Sequence, residues 1–315
     1  MTELANLFFE FLSNKSLYSY LFILTLGLLI GSFLNVVIYR LPIMINNEYI
    51  KMIKDMTELP DDIIISKMTK EEQNDYKKSQ SMKEMNLSLP RSRCSNCGYN
   101  IPIWQNLPVI SYLLLKGKCF FCRKSYSSSY LFVELMIGLF FCFSFYKLGA
   151  SIDFIIITSV TTALIASFFI DLKHKILPDQ ITLFGVLAAL FYNLYSPNAF
   201  ITPLESFLGM VIGFLVINTF IKLYEKLRNI GTMMGDGDIK LFALCGAWFG
   251  LYNLIFIVIM SCLLGVFIFL CFLIFKKKNI KNYELPFGPY IIIIFFAFVY
   301  YYNFMESILL NMGFL

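Results

Sequence analysis

The stretch FFIDLKHKILPDQITLFG, residues 168–185, joins two apolar runs through a short polar turn. Asp171 stands at the end of the first run, and Pro178 precedes the second. A second stretch, GDGDIKLFALCG at residues 235–246, places acidic side chains just before another apolar run. Because an ionisable side chain at membrane depth is costly in free energy, these acids are candidates for function.

The composition of the chain is that of a membrane protein. Of its 315 residues, 58% are hydrophobic and 15% charged, and the mean hydropathy is +0.70, which excludes an ordinary soluble domain. Several apolar runs approach the roughly 20 residues that cross a bilayer as a helix, so we predict an all-α polytopic membrane protein with about eight transmembrane helices. The predicted spans are 17–39, 128–146, 153–171, 181–196, 203–223, 239–251, 252–275 and 287–310. The sixth is short, and it is either a stubby span or a half-helix.

The distribution of basic residues predicts how these spans are oriented. If the first span runs from outside to inside, Lys15 and Lys147 are the only Lys or Arg residues of the 26 that lie outside. This asymmetry is what the positive-inside rule predicts for a multi-pass protein of the bacterial cytoplasmic, or inner, membrane. It places Asp171 and the 235–238 segment at the cytosolic surface. It also explains the net charge of +5 through contacts with the membrane and its lipids, without a nucleic-acid partner.

The predicted spans divide the chain into a first helix (1–39), a cytosolic segment (40–127) and a membrane core (128–315). The cytosolic segment holds two C-x2-C pairs separated by 21 residues, a spacing typical of structural zinc sites. Four thiolates complete a tetrahedral site and leave no open position for catalysis. A redox pair or four unrelated thiols are the alternatives, although disulfides are disfavoured in the cytosol. The predicted zinc ligands, within residues 94–122, are Cys94, Cys97, Cys119 and Cys122.

The two acids at span ends suggest a reaction when they are considered together. Singly, Asp171 marks an interfacial helix end and Asp238 caps a helix. Two neighbouring carboxyl groups, however, share a proton because both cannot readily ionise. The ionised group accepts a proton from water, and the protonated group hydrogen-bonds the scissile carbonyl. The pattern therefore indicates aspartic-protease chemistry.

Several motifs resemble those of type IV prepilin peptidases, the GxGD membrane aspartyl proteases of type IV pilus and type II secretion systems. The two catalytic motifs of that family resemble Asp171-x6-Pro178-x3-Thr182 and Gly235-x-Gly237-Asp238-x-Lys240. The cysteine segment resembles the family's cytosolic zinc segment. Further similar stretches are GSFLNVVIYRLP (31–42), YLFVEL (130–135) and LPFGPY (285–290). The resemblance extends over nearly the whole chain.

The resemblance implies both a reaction and the roles of residues. Family members cut the basic leader of prepilins or pseudopilins after a glycine, at the cytosolic membrane face. Asp171 and Asp238 are then the catalytic pair. The resemblance makes Pro178, Thr182, Gly235, Gly237 and Lys240 supporting residues of the active-site loops. For Lys240, orienting Asp238 and reaching out to lipid phosphates are both open.

The resemblance also implies a second activity. Many family members methylate the new N-terminal amine with S-adenosylmethionine, and residues around the first cytosolic segment are involved. Arg40, Gly117 and Lys118 match the family there. Family members often carry a glutamate where this chain has Asn46, and Glu48 follows two residues later. A peptidase without methyltransferase activity is therefore the alternative.

An ion-coupled membrane transporter is the alternative class of protein, because intramembrane acids also bind cations. A transporter predicts acids near the middle of the bilayer and a pair of similar broken helices. Here both acids lie at one predicted interface, and the glycine-rich segment has no counterpart in the other half of the chain. The sequence therefore favours the peptidase.

Overall fold

A computed structural model describes residues 11–12, 14–57, 73, 86–89, 91–94, 96–229, 234–275 and 285–311. Among them, eight α-helices have described bounds and no β-strand occurs. The chain forms two compact units that divide between Ala150 and Ser151. Six described helices are long and apolar enough to cross a membrane, which confirms the prediction of an all-α polytopic membrane protein.

The first unit contains α1 (Leu17–Thr57), a 3₁₀ turn (Ile103–Asn106), the short α2 (Ile110–Leu114) and α3 (Ser129–Leu148). The two long helices, α1 and α3, pack closely through glycines. A Cβ atom on Gly27 would lie 2.9 Å from the Cα of Gly138, and one on Gly31 would lie 2.9 Å from the Cα of Glu134. Small residues of this kind let membrane helices approach backbone to backbone.

Helix α1 is longer than the predicted span, which ended at residue 39. Its 41 residues extend for about 60 Å, twice the thickness of the hydrocarbon core. Pro42 lies inside the helix without ending it. Beyond that proline, Ile43 and Ile50 are seven residues apart and both only 2% exposed. An apolar face therefore continues past the end of the predicted span and stabilises the helical turns that follow it.

One contact joins the start of α1 to the end of α3. The Lys15 ammonium donates a hydrogen bond to the carbonyl oxygen of Tyr146 at 3.2 Å and lies 5.9 Å from the centre of that ring. Lys147 is the next residue. The two basic residues predicted to lie outside are thus at the same end of this helix pair.

The second unit contains α4 (Ile152–His174), α5 (Asp179–Tyr195), α6 (Pro203–Arg228), α7 (Asp236–Phe275) and α8 (Gly288–Asn311). The predicted spans 239–251 and 252–275 belong to α7, which is broken at Gly250 (φ 76°, ψ 177°). The sequence left the segment before the break open as a stubby span or a half-helix; we call this part of α7, which ends at the break, the half-helix. The span predicted at 181–196 corresponds to α5, which has 17 residues.

Helix α4 begins with a buried acid whose oxygens are both engaged. Ser151 caps the helix by accepting the Phe154 N–H at 3.1 Å. Asp153, 7% exposed, accepts hydrogen bonds from the Ser196 hydroxyl and the Asn198 amide, each at 2.7 Å. These bonds fasten the loop after α5 to the start of α4.

The break in α7 leaves backbone carbonyls that need partners, because lipid supplies no hydrogen bonds. The Asn193 amide of α5 donates to the carbonyl oxygens of Ala247 (3.0 Å) and Trp248 (3.3 Å). Ser206 of α6 donates to the same Ala247 carbonyl at 2.5 Å. Two neighbouring helices therefore cap the end of the half-helix that begins with the GDGD segment.

Close backbone packing supports the same half-helix. Gly209 of α6 and Gly246 of α7 touch so closely that a Cβ on either residue would collide with the carbonyl oxygen of the other. The buried Trp248 indole donates to the Gly185 carbonyl at 3.0 Å. The half-helix is thus fixed by both α5 and α6.

We expect Asn193→Leu to destabilise the protein, because the Trp248 carbonyl would lose its side-chain partner in a region without water. A lost buried hydrogen-bond partner costs about 1–3 kcal/mol. Thermal unfolding in detergent should show a lower Tm. Asn303→Leu, at an exposed position of α8, is the matched control and should unfold like the parent. Equal Tm values for the two variants would contradict the capping role.

Candidate active site and metal centre

The two predicted acids lie at adjoining helix ends of the second unit. Asp171 is in the last turn of α4 and only 5% exposed, whereas Asp238 is half-buried in the first turn of α7. Leu177 lies against Gly237, the neighbour of Asp238, and against Gly288, which lies beside the Asp171 carboxyl group. Helices α4 and α7 thus bring together two acids that are 67 residues apart in the chain.

Local backbone geometry explains both helix ends. The N–H of Lys175 donates to the Asp171 carbonyl at 2.9 Å, and Lys175 takes the left-handed conformation (φ 55°) that ends α4. Pro178 follows as the N-cap of α5, where its fixed φ suits the start of a helix. On the other side, the Asp238 N–H donates to the Gly235 carbonyl at 3.0 Å, which closes the first turn of α7.

Leu177 packs between the two acid-bearing segments and a third one. A Cβ atom on Gly237 would lie 2.7 Å from the Cβ of Leu177, and one on Gly288 would lie 3.1 Å from its Cδ1. A Cβ on Gly288 would also lie 2.6 Å from Oδ2 of Asp171. Leu177 therefore fixes how closely these segments approach.

Sequence reasoning did not identify the packing roles of Leu177 and Gly288. Gly288 belongs to the LPFGPY stretch, which the resemblance did mark, but nothing in the sequence placed it against Asp171. A leucine before a proline carries no signal at all. Only the fold shows that this side chain fills the space between two glycines.

Lys240 pairs with Asp179 rather than with Asp238. Its ammonium lies 2.6 Å from Oδ1 of Asp179, and the two side chains are 37% and 66% exposed. An exposed pair of this kind contributes at most about 1 kcal/mol. It links the first turns of α5 and α7. Thr182 stabilises the same turn of α5, since its hydroxyl donates to the Asp179 carbonyl at 3.0 Å.

One carboxyl oxygen of each acid is buried without a hydrogen-bond partner. Within the part of the chain that the structure describes, neither Oδ2 of Asp171 nor Oδ1 of Asp238 has a hydrogen-bond partner. Buried polar atoms are almost always paired in proteins, so unpaired oxygens indicate a place where water or a substrate binds. The exposed Asp236, between the two glycines, does not share this burial.

The four predicted cysteines of the first unit form one cluster between α1 and α3. Their sulfur atoms all lie within 4.8 Å of one another. Cys94 and Cys122 are 3.8 Å apart, and Cys97 and Cys119 are 4.0 Å apart. A tetrahedral zinc ion with bonds of about 2.3 Å requires sulfur atoms about 3.8 Å apart. The cluster therefore has the size and the donor set of a metal site.

The two C-x2-C pairs have the same backbone geometry. The N–H of Cys94 donates to the Tyr99 carbonyl (2.9 Å), and that of Cys119 donates to the Lys124 carbonyl (2.8 Å). In both hooks, the residue after the second cysteine has a positive φ: 70° at Gly98 and 59° at Arg123. A hairpin-like turn therefore presents each pair of thiols to the same point.

The thiols do not ionise alike without a metal. The N–H of Cys122 is the main cause that lowers the pKa of Cys119, to about 6. At Cys97 the Tyr99 N–H acts in the same direction, but desolvation and the three neighbouring thiols outweigh it and raise the pKa to about 11. A cation is what would stabilise all four thiolates together.

The residues expected around methyl transfer lie at separate structural positions in the first unit. Arg40 is buried on α1 and donates to the carbonyls of Asn86 (2.9 Å) and Leu87 (3.4 Å). Glu48 is exposed further along α1. Gly117 has φ 65°, and a Cβ there would lie 2.7 Å from the Tyr112 ring.

Lys118 is exposed and pairs with Ser125 through a backbone bridge at the base of the second hook.

Taken together, these features define a polytopic helical membrane protein. Its second unit has a buried and a half-buried acid at helix ends, and its first unit has four cysteines that could hold a metal ion. Comparisons with known proteins give the family. The profile of the Bacterial Peptidase A24 N-terminal domain matches residues 25–148, and that of the Type IV leader peptidase family matches residues 157–270.

Curated relatives extend over most of the chain. A prepilin leader peptidase/N-methyltransferase of Pseudomonas putida is 34% identical over 90% of this chain and 91% of its own. Proteins of the same name from Dichelobacter nodosus (36% identical, 85% and 86% covered) and Neisseria gonorrhoeae (36%, 76% and 78%) are also similar. The chain belongs to the type IV prepilin leader peptidase family. No solved structure matches it significantly.

The packing of Leu177 gives a matched pair of test variants within the GDGD segment. Gly237→Ala would place a methyl group 2.7 Å from Leu177, so the two acid-bearing segments must separate. Gly235→Ala would place its methyl group at an ordinary 3.6 Å from Asp238. We expect overpacking at 237 to cost about 1–3 kcal/mol and the change at 235 to cost much less.

Thermal unfolding of the two variants in one detergent measures this difference. A Gly237→Ala variant as stable as Gly235→Ala would show that Leu177 does not set the spacing.

Proposed function

We propose that this protein is a membrane aspartic endopeptidase that cleaves the basic leader of type IV prepilins or pseudopilins after a glycine, at the cytosolic face of the inner membrane. Asp171 and Asp238 are the catalytic pair. The observation that carries this proposal is that the buried Asp171 and the half-buried Asp238 lie at two helix ends packed around Leu177, each with an unpaired oxygen. Membership of the leader peptidase family supports the same reaction.

The proposed chemistry is hydrolysis by a pair of carboxyl groups that hold one proton between them. The ionised group takes a proton from a water molecule, and the water oxygen attacks the carbonyl carbon of the peptide bond. The protonated group donates a hydrogen bond to the carbonyl oxygen and then a proton to the departing nitrogen. The C–N bond breaks, and one carboxyl and one amino group result.

The position of the acids in their helices suits this substrate. A prepilin has a charged leader outside the membrane and an apolar helix within it, so the bond to be cut lies at the interface. Asp171 is three residues from the end of α4, and Asp238 is in the first turn of α7. Helix ends are where water and an extended peptide segment can reach the acids. A cation transporter would instead need acids near the middle of the bilayer.

We also propose that the protein methylates the new N-terminal amine, as the names of its relatives state for those proteins. S-adenosylmethionine supplies the methyl group in such reactions. Arg40, Glu48, Gly117 and Lys118 remain the candidate residues of the methyl-transfer region. Arg40 holds the chain at residues 86–87 in place, so its role includes positioning that segment.

Zinc is the metal that we propose for the four-cysteine site. The cluster offers a set of soft sulfur ligands at tetrahedral spacing, and such sites hold zinc or iron–sulfur centres. The two hooks have little apolar core of their own, so metal binding would contribute folding free energy. Four thiolates complete the coordination of a tetrahedral ion and leave no open position, so the proposed role of zinc is structural.

The catalytic pair is tested by replacing each acid with its amide. Asp171→Asn and Asp238→Asn keep the side-chain shape but remove the shared proton, so we expect cleavage of a model prepilin to fall at least about 100-fold. Asp236→Asn, which changes an exposed acid of the same segment, should keep most of the activity. Full activity in either amide variant would remove that residue from the pair.

The same assay distinguishes the bifunctional enzyme from a peptidase alone. Mass spectrometry of the cleaved product, in the presence of S-adenosylmethionine, should show one added methyl group at the new N-terminus. Cleaved product without the methyl group would restrict the protein to peptidase activity and leave the first proposal intact.

Metal analysis of the purified protein tests the zinc site. We expect one zinc ion per chain, and Cys119→Ala should lose it because three thiolates hold the ion much more weakly. Cys245→Ala, at a buried position within α7, is the control and should keep the zinc. Iron in place of zinc, or equal metal content in the two variants, would contradict the assignment.

A further inference from the structure

The segment that contains the cysteine hooks is basic and free of acids. Residues 86–128 include no Asp or Glu, whereas they include six Lys or Arg residues. All six side chains are exposed: Arg91, Arg93, Lys116, Lys118, Arg123 and Lys124. Because no acid within this segment neutralises these cations, it presents a positive surface.

The same segment exposes large apolar side chains outside the membrane-spanning helices. Leu114 is 72% exposed and Phe121 is 71% exposed. The other members of this set are Leu107, Ile110, Leu113 and Phe120. Contiguous exposed apolar side chains of this kind usually mark an interaction surface.

Apolar and basic side chains alternate along the segment. Leu113 and Leu114 come shortly before Lys116 and Lys118. The pair Phe120 and Phe121 comes shortly before Arg123 and Lys124. Segments that lie in the interfacial region of a bilayer combine leucine or phenylalanine with lysine or arginine in this way. We call residues 107–124 the interfacial segment.

Two connections hold the interfacial segment near the membrane boundary. The N–H of Val109, just before α2, donates to the Glu134 carboxylate at 2.9 Å, and Glu134 lies in the second turn of the spanning helix α3. At the other end, Cys122 is seven residues before the start of α3, which limits its distance from that helix to about 25 Å. The segment therefore cannot move far from the lipid surface.

We propose that the interfacial segment docks onto the bilayer surface, where its apolar side chains enter the interfacial region and its cations bind anionic lipid headgroups. Charge decides between this occupant and the substrate. The leader of a prepilin is basic, so the basic interfacial segment would repel it. Anionic headgroups attract this segment instead. This docking would fix the four-cysteine site at a set height above the membrane.

The test uses the full-length protein in nanodiscs that contain a photoactivatable lipid with its reactive group near the headgroup. After irradiation, mass spectrometry maps the labelled residues. We expect labelling of residues 107–124 in discs with anionic lipid and at least about threefold less in zwitterionic discs, because each cation near the surface contributes several-fold to binding. Labelling of α1 at the depth of the headgroups is the internal standard.

Two variants with matched charge changes sharpen the test. Lys116→Gln/Lys118→Gln should lower labelling of the interfacial segment in anionic discs, but by less than zwitterionic discs do, because the other cations remain. Lys222→Gln/Lys226→Gln, which removes two exposed cations from α6, should leave that labelling unchanged. Leu114→Gln/Phe121→Gln should also lower it, and unchanged zinc content shows that each variant is folded.

The proposal is overturned if the segment stays unlabelled while α1 is labelled, or if labelling is equal in both lipids. It is also overturned if an added prepilin, or another part of this chain, cross-links to the segment and displaces the lipid label. Cleavage of the prepilin is a separate readout. The docking can therefore fail while the peptidase proposal stands, and the reverse also holds.

Discussion

The structure depends on one constraint: within lipid, a backbone carbonyl released by a break in a helix must find a partner in the protein. Helix α7 breaks at Gly250. Side chains of α5 and α6 donate hydrogen bonds to the carbonyl oxygens of Ala247 and Trp248, which the break leaves without helical partners. The half-helix before the break carries Asp238 in its first turn. Its far end is thus fixed by hydrogen bonds, and this fixes where its acid can lie.

The near end of the half-helix is positioned by packing instead. Leu177 fills the space between Gly237 and Gly288, and the backbone of Gly288 lies close to the Asp171 carboxyl group. Packing and hydrogen bonding therefore control the acid pair from opposite ends of one short helix. Neither acid depends on the other for its position. This arrangement suits the proposed active site, which would hold two carboxyl groups near each other and still admit a peptide.

Much of this arrangement could be predicted from sequence, because it follows from strong local patterns. Apolar runs predict the spanning helices, and the two C-x2-C pairs predict the sulfur cluster at its observed spacing. The motif resemblance predicts Asp171 and Asp238 as a pair without knowledge of their contacts. The extension of α1 beyond the predicted membrane span has no clear signal in the sequence, because the extending part includes a proline and several polar residues.

The remaining features depend on contacts between distant residues and have no local signal. Leu177 is an ordinary leucine until the fold sets glycines on both sides of it. Lys240 was expected near Asp238 or the lipid, but Asp179 on a different helix is its partner. The exposed side chains of the interfacial segment look like core residues in the sequence, and only their observed exposure shows otherwise.

Helix α4 carries a buried aspartate at each end, and the pair shows why burial alone does not reveal reactivity. Asp153 and Asp171 are 7% and 5% exposed, so their shielding from solvent is nearly the same. Asp153 has a donor on each oxygen, whereas Asp171 keeps one oxygen without a donor. A single helix therefore has an aspartate with a donor on each oxygen at one end and the proposed catalytic aspartate at the other, and the number of donors, not depth, distinguishes the two.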